Sequence, residues 1–195
     1  MTTATIGDQQ RCGWCHGDDL YRAYHDREWG RPNRDPRQLF EMLCLEGQQA
    51  GLAWITVLRK RDTYRRAFCD FDPERIARFD AADVQRLLGD AGIIRHRGKI
   101  ESIIANARAW LAMAAAGEDP VGFLWDTVDG RPQIGARRTL AEVPAQTAAS
   151  AALSRALKKR GFRFVGPTTC YAFMQAAGLV DDHLLDCAWH SSRRG

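Results

Sequence analysis

One carboxylate stands in a long apolar run. From Met42 to Leu58 the only charge in LFEMLCLEGQQAGLAWITVL, residues 39–58, is Glu46. Two readings fit a carboxylate in such a segment. It points to water from an otherwise core-facing helix, as most helical glutamates do, or it sits in a pocket with a partner chosen for it. Gly47 and Gly51 favour the pocket, because glycines just after Glu46 are expected to break or bend the helix where the backbone must come close to something. Trp54 follows, so one bent segment delivers a carboxylate and a large flat ring.

Metal chemistry is the second candidate, and its donors lie at opposite ends of the chain. Cys12 and His25 are near the start; His183 and Cys187, spaced i and i+4, share a helical face or a tight turn near the end. Two thiolates and two imidazoles suit a closed, structural zinc site. A metal joining them would remove the entropy of a loop spanning nearly the whole chain, on the order of 5 kcal/mol. The alternative is that the histidines are hydrogen-bonded and the cysteines are small core residues. Cys44, Cys69 and Cys170 lie in apolar helical patterns and read as core. Cys12 to His16, CGWCH, has the spacing of a haem-attachment site, and its first four residues that of a redox dithiol. The first expects an exported chain and the second a preceding strand in a βαβ setting, and neither context is present.

The third candidate is a basic turn. In LKKRGFRFVGPTTC, Gly161 and Gly166 bound a short connection, and Pro167 starts the next helix at once. Free amides at such a turn suit a phosphate oxygen, with Lys158, Lys159, Arg160 and Arg163 adding charge. An ordinary helical hairpin with a solvated basic end fits equally well. Arg95, Arg97 and Lys99 form a second basic turn able to reach the same backbone.

The elements that must hold these groups are nearly all helical. Asp18 or Asp19 caps a helix to about Glu28, on which Tyr21, Tyr24, His25 and Glu28 share a face. Asp35 with Pro36 starts the helix that carries Glu46, and a further helix is expected from Trp54 to Phe68. Asp72 with Pro73, Asp80 with Asp83, and Asp119 with Pro120 mark three more starts. A long amphipathic helix buries Ile100, Ile103, Ile104, Ala107 and Leu111. Residues 129–142 read as an irregular surface excursion, and the last two long helices run from Ala148 to Arg160 and from Pro167 to Gly178. Strand alternation is almost absent. The 195 residues, 45% hydrophobic, are enough for one core or for two lobes sharing a cleft. No run reaches the length of a membrane span and Met1 to Gln10 lacks the apolar core of a signal peptide, so a cytoplasmic protein with reduced cysteines is expected. A net charge of +4 does not by itself separate nucleic-acid binders from other proteins.

RCGWC, YRAYHDREWG, LFEMLCLEGQQAGLAWITVLRKR, DAGIIRHRGKI, ALKKRGFRFVG and GLVDDH, in this order, closely resemble the DNA-3-methyladenine glycosylase I family of bacterial alkylation-repair enzymes. The resemblance covers Arg11 to Cys187. It implies an all-α helix-hairpin-helix glycosylase fold, with the hairpin at 161–166 and one structural Zn2+ per chain on Cys12, His25, His183 and Cys187, tying the two ends. It implies one glycosylase unit over 11–190, between a disordered start (1–10) and a tail (191–195). The implied base pocket is Glu46, Tyr24 and Trp54, with Trp14, Tyr21 and Trp29 nearby. Gly51 and Leu52 would plug the gap left by the extruded nucleotide, and Lys158, Lys159, Gly161, Arg163 and Gly166 would contact double-stranded DNA containing an alkylated purine. The implied enzyme hydrolyses the glycosyl bond without cutting the strand, as a monomer with no obligate protein partner. Related glycosylases use an aspartate beyond the hairpin; Asp181 and Asp182 lie closer than expected and are left out of the catalytic set. The C-terminal LLDCAWHSSRRG departs from the family, so His190 or Cys15 is an alternative ligand. The competing function is a non-catalytic, zinc-stabilised hairpin DNA-binding module, with a small redox or haem protein a distant third.

Overall fold

The computed structural model describes residues 10–193. The expected frayed start at 1–10 lies outside them except for Gln10. The expected tail at 191–195 is described only at Ser191–Arg193, a 3-10 turn.

Local capping chemistry sets most of the helix starts. α1 (Asp19–Arg27) begins where the Asp18 side chain accepts from the Tyr21 amide, and α2 (Pro36–Gln49) where Asp35 accepts from the Gln38 amide. α3 (Trp54–Leu58) and α4 (Arg61–Ala67) follow, then α5 (Pro73–Ile76) behind Asp72 and α6 (Ala81–Gly89) behind a reciprocal Asp80–Asp83 capping box. α7 (Arg97–Ala115) is capped by the His96 ring and α8 (Pro120–Asp126) by Asp119. α9 (Ala148–Lys159) starts at a Thr147–Ser150 box; α10 (Pro167–Ala176) starts at Gly166 with no side-chain cap.

α2 is the shared element: it packs against α3, α7, α8 and α10. Leu39, Phe40, Leu43, Cys44 and Leu45 of α2 are all buried. Each large apolar side chain so buried contributes about 2 kcal/mol. Around α7 a ladder of rings fills the core, with Phe68 stacked near Tyr64, Phe71 and Phe79.

Four expectations change. Gly47 does not break α2; the helix runs through it to Gln49, and the sharp turn falls at Gly51, whose φ is +77°. A Cβ on Gly47 would lie 3.2 Å from the Phe164 Cβ, so this glycine makes room for a neighbouring turn. The expected Trp54–Phe68 helix is two helices, α3 and α4, broken at Arg59 and Lys60. In the 129–142 excursion, β1 (Gln133–Ile134) pairs in parallel with β2 (Val180–Asp181), a contact too short and too distant in sequence to show as alternation. Leu111 and Cys69 are only half-buried.

Candidate functional site

Eight segments of the chain converge on a cleft of about 330 Å³. α1 supplies Tyr21 and Tyr24, the turn before it Trp14, and the turn after it Trp29; α2 supplies Glu46 and Gln49, and α3 supplies Trp54. Leu140 and Val143 come from the excursion, Ala172 and Gln175 from α10, and Asp182 from the end of β2. The walls are rings. Tyr24 and Trp54 lie 5.5 Å apart at 47°, and Trp14 meets Tyr21 and Trp29 edge to face at 5.0 and 5.1 Å. A bidentate Arg61–Glu28 pair, at 2.5 and 2.9 Å, braces the far side of Tyr24 and Trp54.

Glu46 is buried, at 4% exposure, and among the described residues its Oε2 has no hydrogen-bond partner; the Trp54 Nε1 is likewise buried and unpartnered among them. Burial alone pushes the Glu46 carboxyl up to about 8. Tyr24 is raised well above the ordinary phenol range, first by burial and then by Glu46, so its hydroxyl stays protonated. Two polar atoms left unpaired beside an aromatic cleft are costly unless a ligand satisfies them.

Asp182 also borders the cleft. Its Oδ2 accepts from the Tyr171 hydroxyl and, at 2.8 Å, from the Gln175 amide. Leu140, Val143, Ala172, Gln175 and Asp182 went unnoticed as wall residues in the sequence. The tertiary path of the excursion brings Leu140 and Val143 to the cleft, and the packing of α10 and β2 brings Ala172, Gln175 and Asp182; no local pattern encodes either.

The next residue along α1 from Tyr24 faces elsewhere. His25 joins Cys12, His183 and Cys187 in a buried group whose ligand atoms all lie within 4.8 Å of one another and could hold a metal ion. The Cys187 Sγ is 3.5 Å from both the His25 Nε2 and the His183 Nδ1, and the Cys12 Sγ is 3.7 Å from the His183 Nδ1. The outward ring nitrogens are held as well: His25 Nδ1 lies 2.8 Å from Asp26 Oδ1 and His183 Nε2 3.2 Å from the Trp29 carbonyl. The neighbouring Cys187 thiol and burial hold the Cys12 thiol above its usual range, while Cys12 and the two imidazoles draw Cys187 below it. Cys15 and His190 stand outside this group. The Cys15 thiol donates to the Cys12 carbonyl, and the His190 ring lies against the Gly135 carbonyl and the Ser192 hydroxyl.

The basic turn between α9 and α10 has Gly161 at φ +91°, Phe162 and Val165 buried, and Lys158 and Lys159 exposed. Three of the expected free amides are taken: the Gly161 N–H donates to the Lys158 carbonyl at 3.0 Å, the Phe162 N–H to the Leu157 carbonyl at 3.1 Å and the Arg163 N–H to Asn106 Oδ1 at 2.8 Å. The first turn of α10, behind the uncapped Gly166, stays available. Gly51 and Leu52 project beside Glu46, Gln49 and the start of α10, with Leu52 41% exposed. Lys99 does not join the second basic turn: α7's first coil winds it inward, where it is buried. Among the described residues no helix is long and apolar enough to cross a membrane.

The family model for methyladenine glycosylases matches residues 14–190. The chain belongs to that family. It is 58% identical, over 95% of its length and 99% of the relative's, to DNA-3-methyladenine glycosylase 1 of Escherichia coli strain K12. A crystal structure of 3-methyladenine DNA glycosylase I superposes with a TM-score of 0.92 at 61% identity, covering 93% of this chain and 100% of that one. A Staphylococcus aureus structure from the family, which describes 3-methyladenine recognition, superposes at 0.89 with 39% identity, covering 93% and 96%. The family match takes in the cleft residues from both ends of the chain, Trp14 and Asp182 included.

Proposed function

We propose that this protein flips a 3-methylated adenine out of double-stranded DNA and hydrolyses its glycosyl bond, leaving the strand intact. The observation that carries the reading is the pair of unpartnered buried atoms, Glu46 Oε2 and Trp54 Nε1, beside one ring-lined cleft in a chain of this family.

A base inside a duplex is out of reach and must be extruded, and a methylated, poorly paired base costs less to unstack. Methylation at N3 makes adenine a cation, which the faces of Tyr24 and Trp54 and the carboxylate of Glu46 attract. In the empty cleft Glu46 keeps its proton to about pH 8. An arriving cation stabilises the carboxylate, so Glu46 gives up its proton as the base binds, and neutral adenine gains no such pairing. The bond to C1′ then breaks with both electrons going to the base, which leaves as neutral 3-methyladenine. Water adds to C1′ and releases a proton. Because the leaving group already carries the positive charge, no strong general acid is needed. No lysine lines the cleft to form a Schiff base, in keeping with release of the base alone.

The helix-hairpin-helix reading of α9, the 161–166 turn and α10 rests on the uncapped α10 start and the exposed Lys158 and Lys159, which suit a phosphate. Gly51 and Leu52 are assigned to the gap left by the extruded nucleotide, on the strength of their projection beside the cleft. Zinc is the metal assigned to the four-residue group. Tetrahedral bonds of zinc length place a thiolate sulfur and an imidazole nitrogen about 3.6 Å apart. The observed separations are 3.5 to 3.7 Å. The cleft draws its walls from both ends of the chain, so we assign a single unit over 11–190. A purely DNA-binding module would have no use for the cleft and would free no base. Incubation with methylated duplex DNA, followed by chromatography of the released bases, tests the reading: 3-methyladenine in the supernatant and an uncut strand are expected, and no free base would overturn it.

A further inference from the structure

Lys99 is a buried ammonium whose hydrogen bonds go to backbone carbonyls. Its Nζ donates at 2.8 Å to the carbonyl of Gln48, the last residue but one of α2, and at 2.8 Å to that of Ala50, its C-cap. No carboxylate pairs with it among the described residues. The carbonyls at the end of a helix have no partners within the helix, and here one cation takes two of them. The contact is reciprocal: the fully buried Gln48 donates from Nε2 to the Lys99 carbonyl at 3.1 Å and accepts from the Tyr64 hydroxyl at 3.3 Å. That hydroxyl accepts in turn from the Ile94 amide at 3.0 Å. The turn at 94–98, with exposed Arg95 and Arg97, is thus bolted to the end of α2.

The chain leaves that end in a fixed direction. Gly51, at φ +77°, turns directly after Ala50, and Leu52 stands exposed beyond it. Glu46 lies one helical turn before Ala50. We infer that Lys99 is a positioning residue for base extrusion, holding the α2 terminus so that Leu52 enters the duplex while Glu46 stays in the cleft. This inference rests on the proposed glycosylase function. It concerns the step before chemistry, so its loss falls on paired DNA and spares the binding of a free base.

The test compares wild type with Lys99→Met on two substrates under single-turnover conditions, one with 3-methyladenine paired in a duplex and one with it in an unpaired bubble. Free 3-methyladenine affinity is read in parallel from tryptophan fluorescence. Misplacement of a positioned group by about 1 Å costs on the order of 100-fold, and that loss is expected on the duplex. The bubble rate and the free-base affinity should stay near wild type. Equal losses on both substrates, no loss, or a parallel fall in free-base affinity would each overturn the assignment. Should Lys99→Met unfold, Lys99→Gln, which keeps one donor, is read by the same ratio; unfolding of both would make Lys99 a stability residue and also overturn it. A wild type that frees no base from either substrate defeats the glycosylase reading instead.

Discussion

Tyr24 and His25 are neighbours on α1, yet they serve regions built on opposite principles. The His25 side has its polar atoms matched: sulfur to imidazole, imidazole to Asp26 or to the Trp29 carbonyl, with exposures of 0 to 2%. The Tyr24 side keeps two buried atoms unmatched, on Glu46 and Trp54. Trp29 touches both, its ring 4.6 Å from His183 and 5.1 Å from Trp14. The contrast separates a knot that stabilises from a site that waits for a ligand, and a change made on one side leaves the other as its control.

The largest effect is expected at the knot. One metal ion per chain should be found by elemental analysis, and chelation or Cys187→Ser should cost on the order of 5 kcal/mol and blunt the cooperativity of thermal unfolding. A chelated protein that melts as before would show that the thiol–imidazole contacts suffice. At the cleft, Glu46→Gln should slow base release by about 100- to 1000-fold, the usual cost of losing one preorganised charge contact, while low-salt DNA binding survives. An unchanged single-turnover rate would remove Glu46 from the mechanism.

The cleft also carries a stability cost that pH can expose. Folded Glu46 holds its proton to about 8, against an ordinary value of 4.5. Between those values the folded state binds one more proton than the unfolded state, so stability falls as pH rises and levels off above the upper value. Glu46→Gln escapes this loss. It should melt several degrees above wild type at about pH 9 and level with it at about pH 4, and the diverging curves are read by calorimetry. The smallest effect lies outside both regions: Lys158→Ala or Lys159→Ala should weaken duplex binding a few-fold and lower its salt slope by about 1 each. Titrations at several salt concentrations check it.

Signals confined to a few residues were legible in the sequence. Asp35 before Pro36 and Asp119 before Pro120 start helices because capping needs only the next three residues. Glu46 drew notice because an acid in an apolar run demands an explanation, and it lies beside the cleft. Lys99 misled for the same reason of locality: next to Arg95 and Arg97 it looks like one more surface cation, and only the winding of α7 turns it inward. Gly47 is similar, since its purpose is Phe164, more than a hundred residues away. Leu140, Val143 and Asp182 reach the cleft through pairing of two-residue strands, which leaves no periodic trace.

The four donors of the knot sit at positions 12, 25, 183 and 187 of 195. In synthesis the first pair emerges long before the second, so Cys12 and His25 wait without their partners while the residues between are made. The group closes late, and a chain broken off before position 183 holds only half of it.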